Sequence, residues 1–402
     1  MTRSGRFEWP IVALLVIAAA LSRSPALIVL AAGGLVVWLV VWLTGWLALV
    51  GIDVEVTLAP DRLVAGETLV ATVVISNRKP LPLPWLDVRL FLPEGIEPPN
   101  AGPGLPRGWV NAGFSPRGHE RSVLRFPLVA VQRGAYAVGP LRLRGGDWLG
   151  FTSDERTIPI SRTVVAYPVP LAVRDRHLPS LRPLAETATK RGLLPDPLRF
   201  RGVREHRSGD PRKEIHWKAS ARLRELQTKL YEPATSLDAV FLVNVASYDQ
   251  YWIQADPEAV EIVVSATAEL VRQAANAGRQ VGLVTNGLDN LTHERPRSAL
   301  GRGPRTLLRS LEILARLGPY AANSPEAVFL AERGRLPWGA TLIVVTPKIG
   351  TGLAAAMLAL RRAHHRVLAV SVYPLVDASA AHLRARGVVL DVLHPQELRR
   401  AV

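Results

Sequence analysis

The spacing of apolar residues changes along the chain, and each change predicts a different kind of element. Residues 9–21 and 26–50 are two continuous apolar runs close to the N-terminus. The second run carries no charged side chain and is long enough, at ~1.5 Å per residue, to cross a hydrocarbon core of ~30 Å. These runs predict a two-span transmembrane hairpin within residues 1–52.

The charges around the two runs predict how the hairpin is oriented. Arg3 and Arg6 precede the first run, Arg23 lies between the runs, and no Lys or Arg follows the second run before Arg62. Because basic flanking residues favour the cytoplasmic side, the pattern predicts a multi-pass protein of the cell membrane with a cytoplasmic N-terminus. Two spans then return the soluble part to the cytoplasm. A cleaved signal peptide is the alternative, since a basic start, a short apolar run and small residues also occur there.

Residues 53–173 change to a strand pattern. Short β-branched runs such as residues 67–77 are separated by clusters of Gly, Pro and Asn at the intervals of turns. This pattern predicts an antiparallel β-sandwich module. The module shows no carboxylate pair, no Ser/His constellation and no metal-ligand cluster in its sequence, so we interpret it as a spacer or a partner-docking unit.

Residues 237–402 alternate between buried strands and amphipathic helices. Asp256 is a good N-cap and Pro257 suits the first position of a helix that ends near Gly278. Repeated alternation of this kind predicts a mostly parallel sheet with helices on both faces. Residues 291–300 predict a short edge strand, and the last residues predict a short final helix.

Residues 174–236 connect the two soluble domains and concentrate positive charge. A Pro-rich linker comes first, and residues 199–224 then carry nine Arg and Lys against three acids. Asp210 as N-cap and Pro211 as first residue predict a helix to about Arg224. Its apolar positions, which we expect to dock on the rest of the protein, are Ile215, Ala219, Leu223 and Leu226. A strand is predicted for Gln227–Tyr231.

The string GDPRKEIHWKASAR, preceded by RGVREHRS and followed by KLYEP, resembles the motif of the bacterial family called domain of unknown function 58. The run RGAYAVGPLRLRGGDWLGF resembles that family too. The resemblance implies a membrane anchor, a β-rich module and a C-terminal domain similar to the von Willebrand factor type A fold. It further implies partnership with a MoxR-type AAA+ ATPase, and it implies no established enzymatic reaction.

The motif residues that we expect either to bind the partner or to hold the interdomain seam are Arg204, Gly209, Asp210, Arg212, Lys213, His216, Trp217, Lys218 and Arg222. The two roles make different demands. A seam requires paired and partly buried side chains, and the sequence favours Arg204, His216, Trp217 and Arg222 for it. A docking surface requires exposed ones, and Arg212, Lys213 and Lys218 suit it. The sequence leaves both open.

The implied type A fold raises the question of a metal site. Its metal-binding version places Asp-x-Ser-x-Ser after the first strand, because a hard divalent cation prefers carboxylate and hydroxyl oxygens. This chain has Asn244, Ala246 and Tyr248 at those places, and Lys348 follows a later strand where an Asp is expected. We therefore predict a degenerate site and no cofactor. The oxygen-bearing substitutes nearby are Asp249, Thr285 and Asp289.

Composition adds two points. The 402 residues include no Cys, which excludes disulfides and thiolate metal sites. A formal net charge of +15 indicates attraction to anionic surfaces. The leading hypothesis is a non-enzymatic, membrane-anchored scaffold or adaptor, and the family resemblance implies the ATPase as its partner. An alternative is a basic segment that binds phospholipid or nucleic acid, although only Phe200 and Trp217 supply the aromatic rings that nucleic acid would favour.

A hydrolase is the remaining alternative, and it would use His216 with Asp210 or Ser220. Asp210 and His216 are six positions apart, which places them on different faces of one helix. The expected helix therefore gives no catalytic triad.

Overall fold

The computed structural model of the chain describes residues 2–4, 9–22, 25–99, 108–160, 162–171, 195–207, 210–233, 238–337, 340–375 and 377–393. The chain divides into two compact units, residues 1–169 and residues 170–402. The Pro-rich linker predicted before residue 195 falls largely outside the described residues, as does the short helix predicted at the C-terminus.

Two apolar helices begin the first unit. They are α1 (Trp9–Ser22) and α2 (Pro25–Trp46), and they lie in contact with each other. Helix α2 has 22 residues, which makes it long and apolar enough to cross a membrane. Helix α1 has 14 residues and is shorter than a span. The structure therefore shows one helix near the N-terminus that could cross a membrane.

A β-module forms the rest of the first unit. Its strands are β1 (Thr2–Ser4), β2 (Ile52–Ala59), β3 (Arg62–Val64), β4 (Thr68–Asn77), β5 (Leu86–Phe91), β6 (Ile96–Glu97), β7 (Trp109–Phe114), β8 (Arg121–Ala130), β9 (Gly134–Ala137), β10 (Leu141–Gly146), β11 (Ser153–Ile158) and β12 (Thr163–Tyr167). One antiparallel sheet has the order β1-β11-β10-β5-β7, and another has the order β2-β4-β8-β6. A smaller sheet, β3-β12-β9, contains one parallel pair, β3 with β12.

The core of the β-module follows from strand periodicity. Buried and half-buried residues alternate along β4, because successive side chains of a strand point to opposite faces. Val73 and Ile75 of β4 join Val88 and Leu90 of β5 and Leu143 of β10 in one fully buried cluster. The inner faces of the two larger sheets therefore share a core, and the predicted antiparallel sheets are confirmed.

The second unit begins with the basic segment. Its elements are β13 (Pro195–Glu205), a turn of 3-10 helix (Arg212–Glu214), α3 (Trp217–Leu223) and β14 (Gln227–Pro233). Strands β13 and β14 form an antiparallel pair.

An α/β domain completes the second unit. Its elements are β15 (Ala239–Val243), α4 (Pro257–Asn276), β16 (Val281–Thr285), β17 (Gly287–Asp289), β18 (Arg297–Gly301), α5 (Pro304–Arg316), β19 (Leu317–Ala321), α6 (Pro325–Ala331), a 3-10 turn (Glu332–Arg335), β20 (Thr341–Thr346), α7 (Thr351–Arg362), β21 (Arg366–Ser371), α8 (Asp377–Ala385) and β22 (Val389–Val392). The main sheet has the order β18-β16-β15-β20-β21-β22, and β17 pairs separately with β19.

The strands of the main sheet are parallel except for β18, which is antiparallel to β16 at one edge. Phe241 and Val243 belong to a core cluster with residues of α4 and α5, whereas Val240 and Leu242 belong to one with residues of α6 and α7. The prediction of a mostly parallel sheet with helices on both faces is confirmed. The edge strand predicted within residues 291–300 is also present, as β18.

Candidate functional site

The basic segment folds as a hairpin whose connection carries the short helix α3. In the hairpin, Arg204 lies opposite Thr228 and Glu205 lies opposite Gln227. The connection is tied to β14 at a second point, where the backbone N–H of His216 donates to the carbonyl oxygen of Gln227 at 2.7 Å. The connection therefore lies against its own strand pair.

Asp210 accepts most of the hydrogen bonds that hold the start of this connection. Nη1 of Arg204 donates to its Oδ2 at 2.7 Å, and Nη2 of Arg204 donates to its Oδ1 at 2.8 Å. The backbone N–H of Arg207 donates to Oδ2 at 2.9 Å, and the hydroxyl of Thr228 does so at 3.3 Å. His206 joins the group through Nδ1, 2.9 Å from the same hydroxyl. We call these five residues the Asp210 clamp.

The clamp is electrostatically matched. Hydrogen bonding from Arg204, and then from the backbone of Arg207, holds the pKa of Asp210 well below its ordinary value. The same hydrogen bonding, donated by Arg204 to Asp210, raises the pKa of Arg204. A bidentate guanidinium–carboxylate pair also fixes direction, because both nitrogens must face both oxygens. The clamp thus joins β13, β14 and the connection at one point.

The clamp corrects the predicted helix. Helix α3 begins at Trp217 rather than at Pro211, and the 3-10 turn at Arg212–Glu214 precedes it. Asp210 does not cap a helix because its carboxylate is occupied by Arg204 and Arg207.

The residues after the 3-10 turn explain where the helix does begin. Ile215 forms an isolated β-bridge with Thr228, which holds it out of a helix. His216 then caps α3, because its Nδ1 accepts the backbone N–H of Ala219 at 3.1 Å.

The connection exposes both apolar and basic side chains. Trp217 is 68% exposed, Leu223 55% and Leu226 49%. The exposed basic side chains beside them are Arg212, Lys213, Lys218 and Arg222. None of these four side chains makes a hydrogen bond or ion pair within the described residues. We call these seven residues the α3 surface.

In the structure, the motif residues fall into a half-buried, hydrogen-bonded group and an exposed group. Arg204, Asp210 and His216 are half-buried and hydrogen-bonded, whereas Trp217 and Arg222 are exposed. The expected apolar stripe does not dock as a unit, because Ile215 is buried but Leu223 and Leu226 are exposed. Gly209 lies outside the described residues.

His216 and Ser220 are also brought together, but not as a base and a nucleophile. The Ser220 hydroxyl donates to the backbone oxygen of His216 at 3.1 Å and accepts the backbone N–H of Gln227 at 2.9 Å. His216 uses Nδ1 as a helix cap. Since the two side chains are not hydrogen-bonded to each other, the pair has the geometry of a cap and a strand–helix link.

A second polar cluster lies at the carboxyl ends of β15, β16 and β20. The chain leaves β15 toward β16 and β18 and returns to β20 on the other side, so the direction of strand order changes between β15 and β20. Ligands of open α/β sheets bind at such a point. Here the side chains of Asn244, Asn286 and Thr346 are buried together.

These three side chains satisfy one another. Nδ2 of Asn244 donates to Oγ1 of Thr346 at 2.8 Å, and Nδ2 of Asn286 donates to Oδ1 of Asn244 at 2.8 Å. Oδ1 of Asn286 accepts the backbone N–H of Val245 at 3.0 Å, and the Thr346 hydroxyl donates to the backbone oxygen of Lys348 at 2.7 Å. We call Asn244, Asn286 and Thr346 the amide cluster. It is neutral and closed by internal hydrogen bonds.

The other residues considered for a metal lie around this cluster without converging on it. Ala246 is buried, and its N–H donates to Oδ1 of Asn244 at 2.9 Å. Tyr248 and Asp249 are exposed. Oγ1 of Thr285 accepts the N–H of Gly287 at 3.0 Å, and Asp289 lies 3.0 Å from Nε of Arg316. Across the described ranges, no group of three or more His, Cys, Asp or Glu is placed to hold a metal ion.

A polar cavity of about 350 Å³ lies beside β18 and α5. Its charged lining residues are Asp289, Glu294, Arg295, Arg297, Arg309, Glu312 and Arg316. Arg316 contacts Asp289 and also Glu312, at 3.8 Å, while Arg297 contacts Glu332 at 3.8 Å. The cavity therefore has a mixed lining in which several charges are already paired. No sequence pattern predicts this cavity, since its lining combines the segment from β17 to β18 with one face of helix α5.

Comparison with known proteins identifies the family. Residues 202–392 match the model of the family described as "Protein of unknown function DUF58". The chain belongs to the DUF58 family over these residues. The DUF58 match begins within β13 and ends with β22, so it contains the Asp210 clamp, the α3 surface and the amide cluster.

A curated relative is also similar to this DUF58 chain. The "Uncharacterized protein YeaD" of Bacillus subtilis (strain 168) is 28% identical over 232 residues. The match covers 56% of this chain and 53% of that protein, so it spans about half of each.

Solved structures add little to the DUF58 assignment. The CARDB domain of the PF1109 protein from Pyrococcus furiosus is 16% identical with a TM-score of 0.18, covering 27% of this chain and 90% of that one. The β-glucosidase EmGH1 of Erythrobacter marinus is 15% identical with a TM-score of 0.16, covering 26% and 15%. Scores this low carry no argument about fold or function.

Proposed function

We propose that this DUF58 protein is a membrane-anchored, non-enzymatic scaffold that works with a MoxR-type AAA+ ATPase in the assembly or maturation of other complexes. The α3 surface is the observation that carries the proposal, because it exposes a Trp and two Leu among four basic side chains that have no hydrogen-bond or ion-pair partner among the described residues. The ATPase as partner comes from the family resemblance of the motif.

The membrane part of the proposal rests on α2. We infer that α1 and α2 form a two-span hairpin, because the two apolar helices are in contact and only a short connection separates them. The basic residues before α1 then place the N-terminus in the cytoplasm, and the soluble part follows there. Length and composition of α2 support the anchor.

We further infer that the α/β domain is a variant of the von Willebrand factor type A fold. Its central parallel strands, its helices on both faces and its antiparallel edge strand β18 support this inference. The amide cluster occupies the place where that fold would hold a metal ion. A neutral cluster that uses its own donors and acceptors suits a domain that acts by binding rather than by metal chemistry.

The α3 surface has the chemistry of a protein-binding patch. Trp and Arg are enriched among the residues that dominate binding energies at protein interfaces. The clamp keeps the base of this surface rigid, so fewer side chains need ordering when a partner binds. Four basic side chains close together also repel one another, and an acidic face on the partner would relieve that repulsion.

A capture experiment tests the proposal. The full chain in lipid nanodiscs is immobilised and offered a MoxR-type ATPase from the same organism, with and without ATP. We expect nucleotide-dependent capture that the charge reversal Lys213→Glu with Lys218→Glu abolishes. Capture that is absent under both conditions, or that the reversal leaves unchanged, would overturn the role of the α3 surface.

The anionic-ligand alternative uses the same four basic side chains, and the same preparation distinguishes it. Binding of phosphatidylglycerol vesicles or single-stranded DNA by the full chain should then fall steeply with salt. Strong vesicle or DNA binding together with no ATPase capture would favour this alternative.

A further inference from the structure

A rigid loop beside the last turn of α2 exposes three large apolar side chains. The loop joins β10 to β11, and its exposed residues are Trp148 (61%), Leu149 (57%) and Phe151 (48%). We call them the apolar loop. Single exposed apolar residues are ordinary, but three within four positions form a patch that calls for an explanation.

The side chain of Asp147 fixes the conformation of the loop by accepting hydrogen bonds from it. Its Oδ1 accepts the backbone N–H of Leu149 at 2.7 Å and of Phe151 at 3.3 Å, and its Oδ2 accepts the Thr152 hydroxyl at 2.8 Å and the Thr152 backbone N–H. Burial alone would raise the pKa of this carboxyl, but these hydrogen bonds outweigh it and hold the pKa below its ordinary value. The exposed side chains are therefore a consequence of an ordered turn.

The base of the loop packs on the end of α2. A Cβ atom at Gly45 would overlap the Thr152 hydroxyl, so the helix and the loop approach as closely as a glycine allows. The indole N–H of Trp85, the residue just before β5, donates to the backbone oxygen of Asp147 at 3.2 Å and supports the loop.

The end of α2 is itself fixed to the β-module. Nζ of Lys79 donates to the backbone oxygens of Leu47 and Ala48, the latter at 2.7 Å, where helix carbonyls lack partners. Ala48 and Leu49 are buried in the module core. The module therefore cannot swing freely on α2, and the apolar loop keeps its place beside the last helical turn.

We propose that the apolar loop inserts into the membrane interface next to α2, with lipid as its occupant. Trp46 ends α2 and is 51% exposed, and Trp42 one turn earlier is 49% exposed, so lipid-facing aromatic residues reach the level of Gly45. Tryptophan is enriched at the boundary between hydrocarbon and water, where its ring is apolar and its N–H can reach polar groups. The inference rests on α2 as the anchor, which belongs to the proposed function.

Insertion at this place gives the β-module two fixed points on the membrane instead of one. A single helix leaves a soluble domain free to tilt, whereas a helix and an adjacent inserted loop set one orientation. The module would then present its remaining surfaces at a constant angle and height to partners.

Site-directed spin labelling tests the proposal, and the natural chain helps because it contains no Cys. Full-length Trp148→Cys, Leu149→Cys and Phe151→Cys proteins carry one nitroxide each in nanodiscs of phosphatidylethanolamine and phosphatidylglycerol. Val36→Cys, exposed in the middle of α2, is the lipid reference, and Val123→Cys, exposed on β8, is the water reference. The measured quantity is the ratio of relaxation by oxygen to relaxation by a water-soluble nickel complex.

We expect this ratio at the three loop positions to exceed the Val123 value several-fold and to approach the Val36 value. A Trp148→Glu and Leu149→Glu change should return a label at Phe151→Cys to the water value. If the loop labels give the same ratio as the Val123 label while the Val36 label reports lipid, the inference about the loop is wrong but α2 still spans the membrane. A Val36 label in water would overturn the anchor itself.

A second copy of the chain is the competing occupant. In that case nitroxides on the loops of two copies would broaden each other's spectra, and dilution with unlabelled protein would remove the broadening. That result would also overturn insertion into lipid. Matching thermal unfolding midpoints across the labelled proteins show that the substitutions leave the fold intact.

Discussion

Arg204 and Asp210 form a bidentate ion pair, with nitrogen–oxygen distances of 2.7 and 2.8 Å, across the start of the hairpin connection. Arg204 belongs to β13, and Asp210 also accepts from Arg207 and from Thr228 of β14. The pair is thus the point at which the basic segment acquires its shape, and it leads to a prediction about stability and pH.

We expect Arg204→Ala to lower the unfolding midpoint, because Asp210 loses its two shortest hydrogen bonds. Arg204→Lys should recover little of the lost unfolding midpoint, since an ammonium group cannot form the same two hydrogen bonds to the carboxylate. Arg222→Ala is the matched control. The sequence favoured Arg222 as a stabilising residue, but it is exposed and its side chain has no hydrogen bond or ion pair among the described residues, so we expect no change in midpoint.

The pH dependence of the same pair has a definite sign. The pKa of Asp210 is lower in the folded protein than in the unfolded chain, where a carboxyl titrates near about 3.9. The contribution of ionised Asp210 to the free energy of unfolding is therefore present above that value. It is lost as the pH falls through the pKa of the folded state. The difference in midpoint between the natural chain and Asp210→Asn should shrink in acid. A difference that is constant from neutral to strongly acidic pH would contradict this account.

The α3 surface predicts a separation of binding from stability. Lys213→Glu and Lys218→Glu change exposed charges, and such changes typically alter stability by less than about 1 kcal/mol. Each should weaken ATPase capture, mainly by slowing association, while the unfolding midpoint stays constant. Arg305→Glu, an exposed reversal on α5, is the control. Equal loss of capture with Arg305→Glu would point to net charge rather than to this surface.

The amide cluster predicts a cost for removing Asn244. Asn244→Ala removes one hydrogen-bond partner from each of the buried side chains of Asn286 and Thr346, which should destabilise the protein by about 1–3 kcal/mol. Tyr248→Ala, at an exposed position close in sequence, should change stability far less. Chemical denaturation of the two variants makes the comparison, and an Asn244→Ala protein as stable as Tyr248→Ala would refute the structural role of the cluster.

Divalent metal should leave the protein unchanged. The amide cluster offers neutral groups that are already hydrogen-bonded, whereas magnesium prefers carboxylates and water. Thermal unfolding of the full chain should be the same with magnesium, with manganese and with a chelator. A reproducible upward shift with millimolar magnesium would show that a site exists.

The two-span anchor predicts cytoplasmic termini. Reporter fusions after Val50 and at Val402 should be active only when the reporter functions in the cytoplasm. An exported reporter that is active at Val50 would show that α1 does not span the membrane or that the hairpin is inverted. Activity of such a reporter at Val402 alone would contradict the placement of the second unit.

Local patterns in the sequence were enough for most of the regular elements. Alternating residues predicted the antiparallel strands, because a strand repeats every two positions. Continuous apolar runs between amphipathic helices predicted the parallel sheet. Asp256 was identified correctly as the cap of α4, since its Oδ1 accepts the N–H of Ala259 at 3.0 Å and a cap needs only neighbours in the chain.

Only the tertiary structure showed which polar groups meet when their residues are far apart in the chain. Asp210 has the local pattern of a helix cap, yet Arg204 and Thr228 take its carboxylate once β13 and β14 pair. The amide cluster joins Asn244 to Thr346 across 102 positions, and the close approach of Gly45 to Thr152 joins a helix to a loop. Sequence periodicity reports which face of an element is buried. It carries no information about which polar atoms meet, because that depends on how the elements pack.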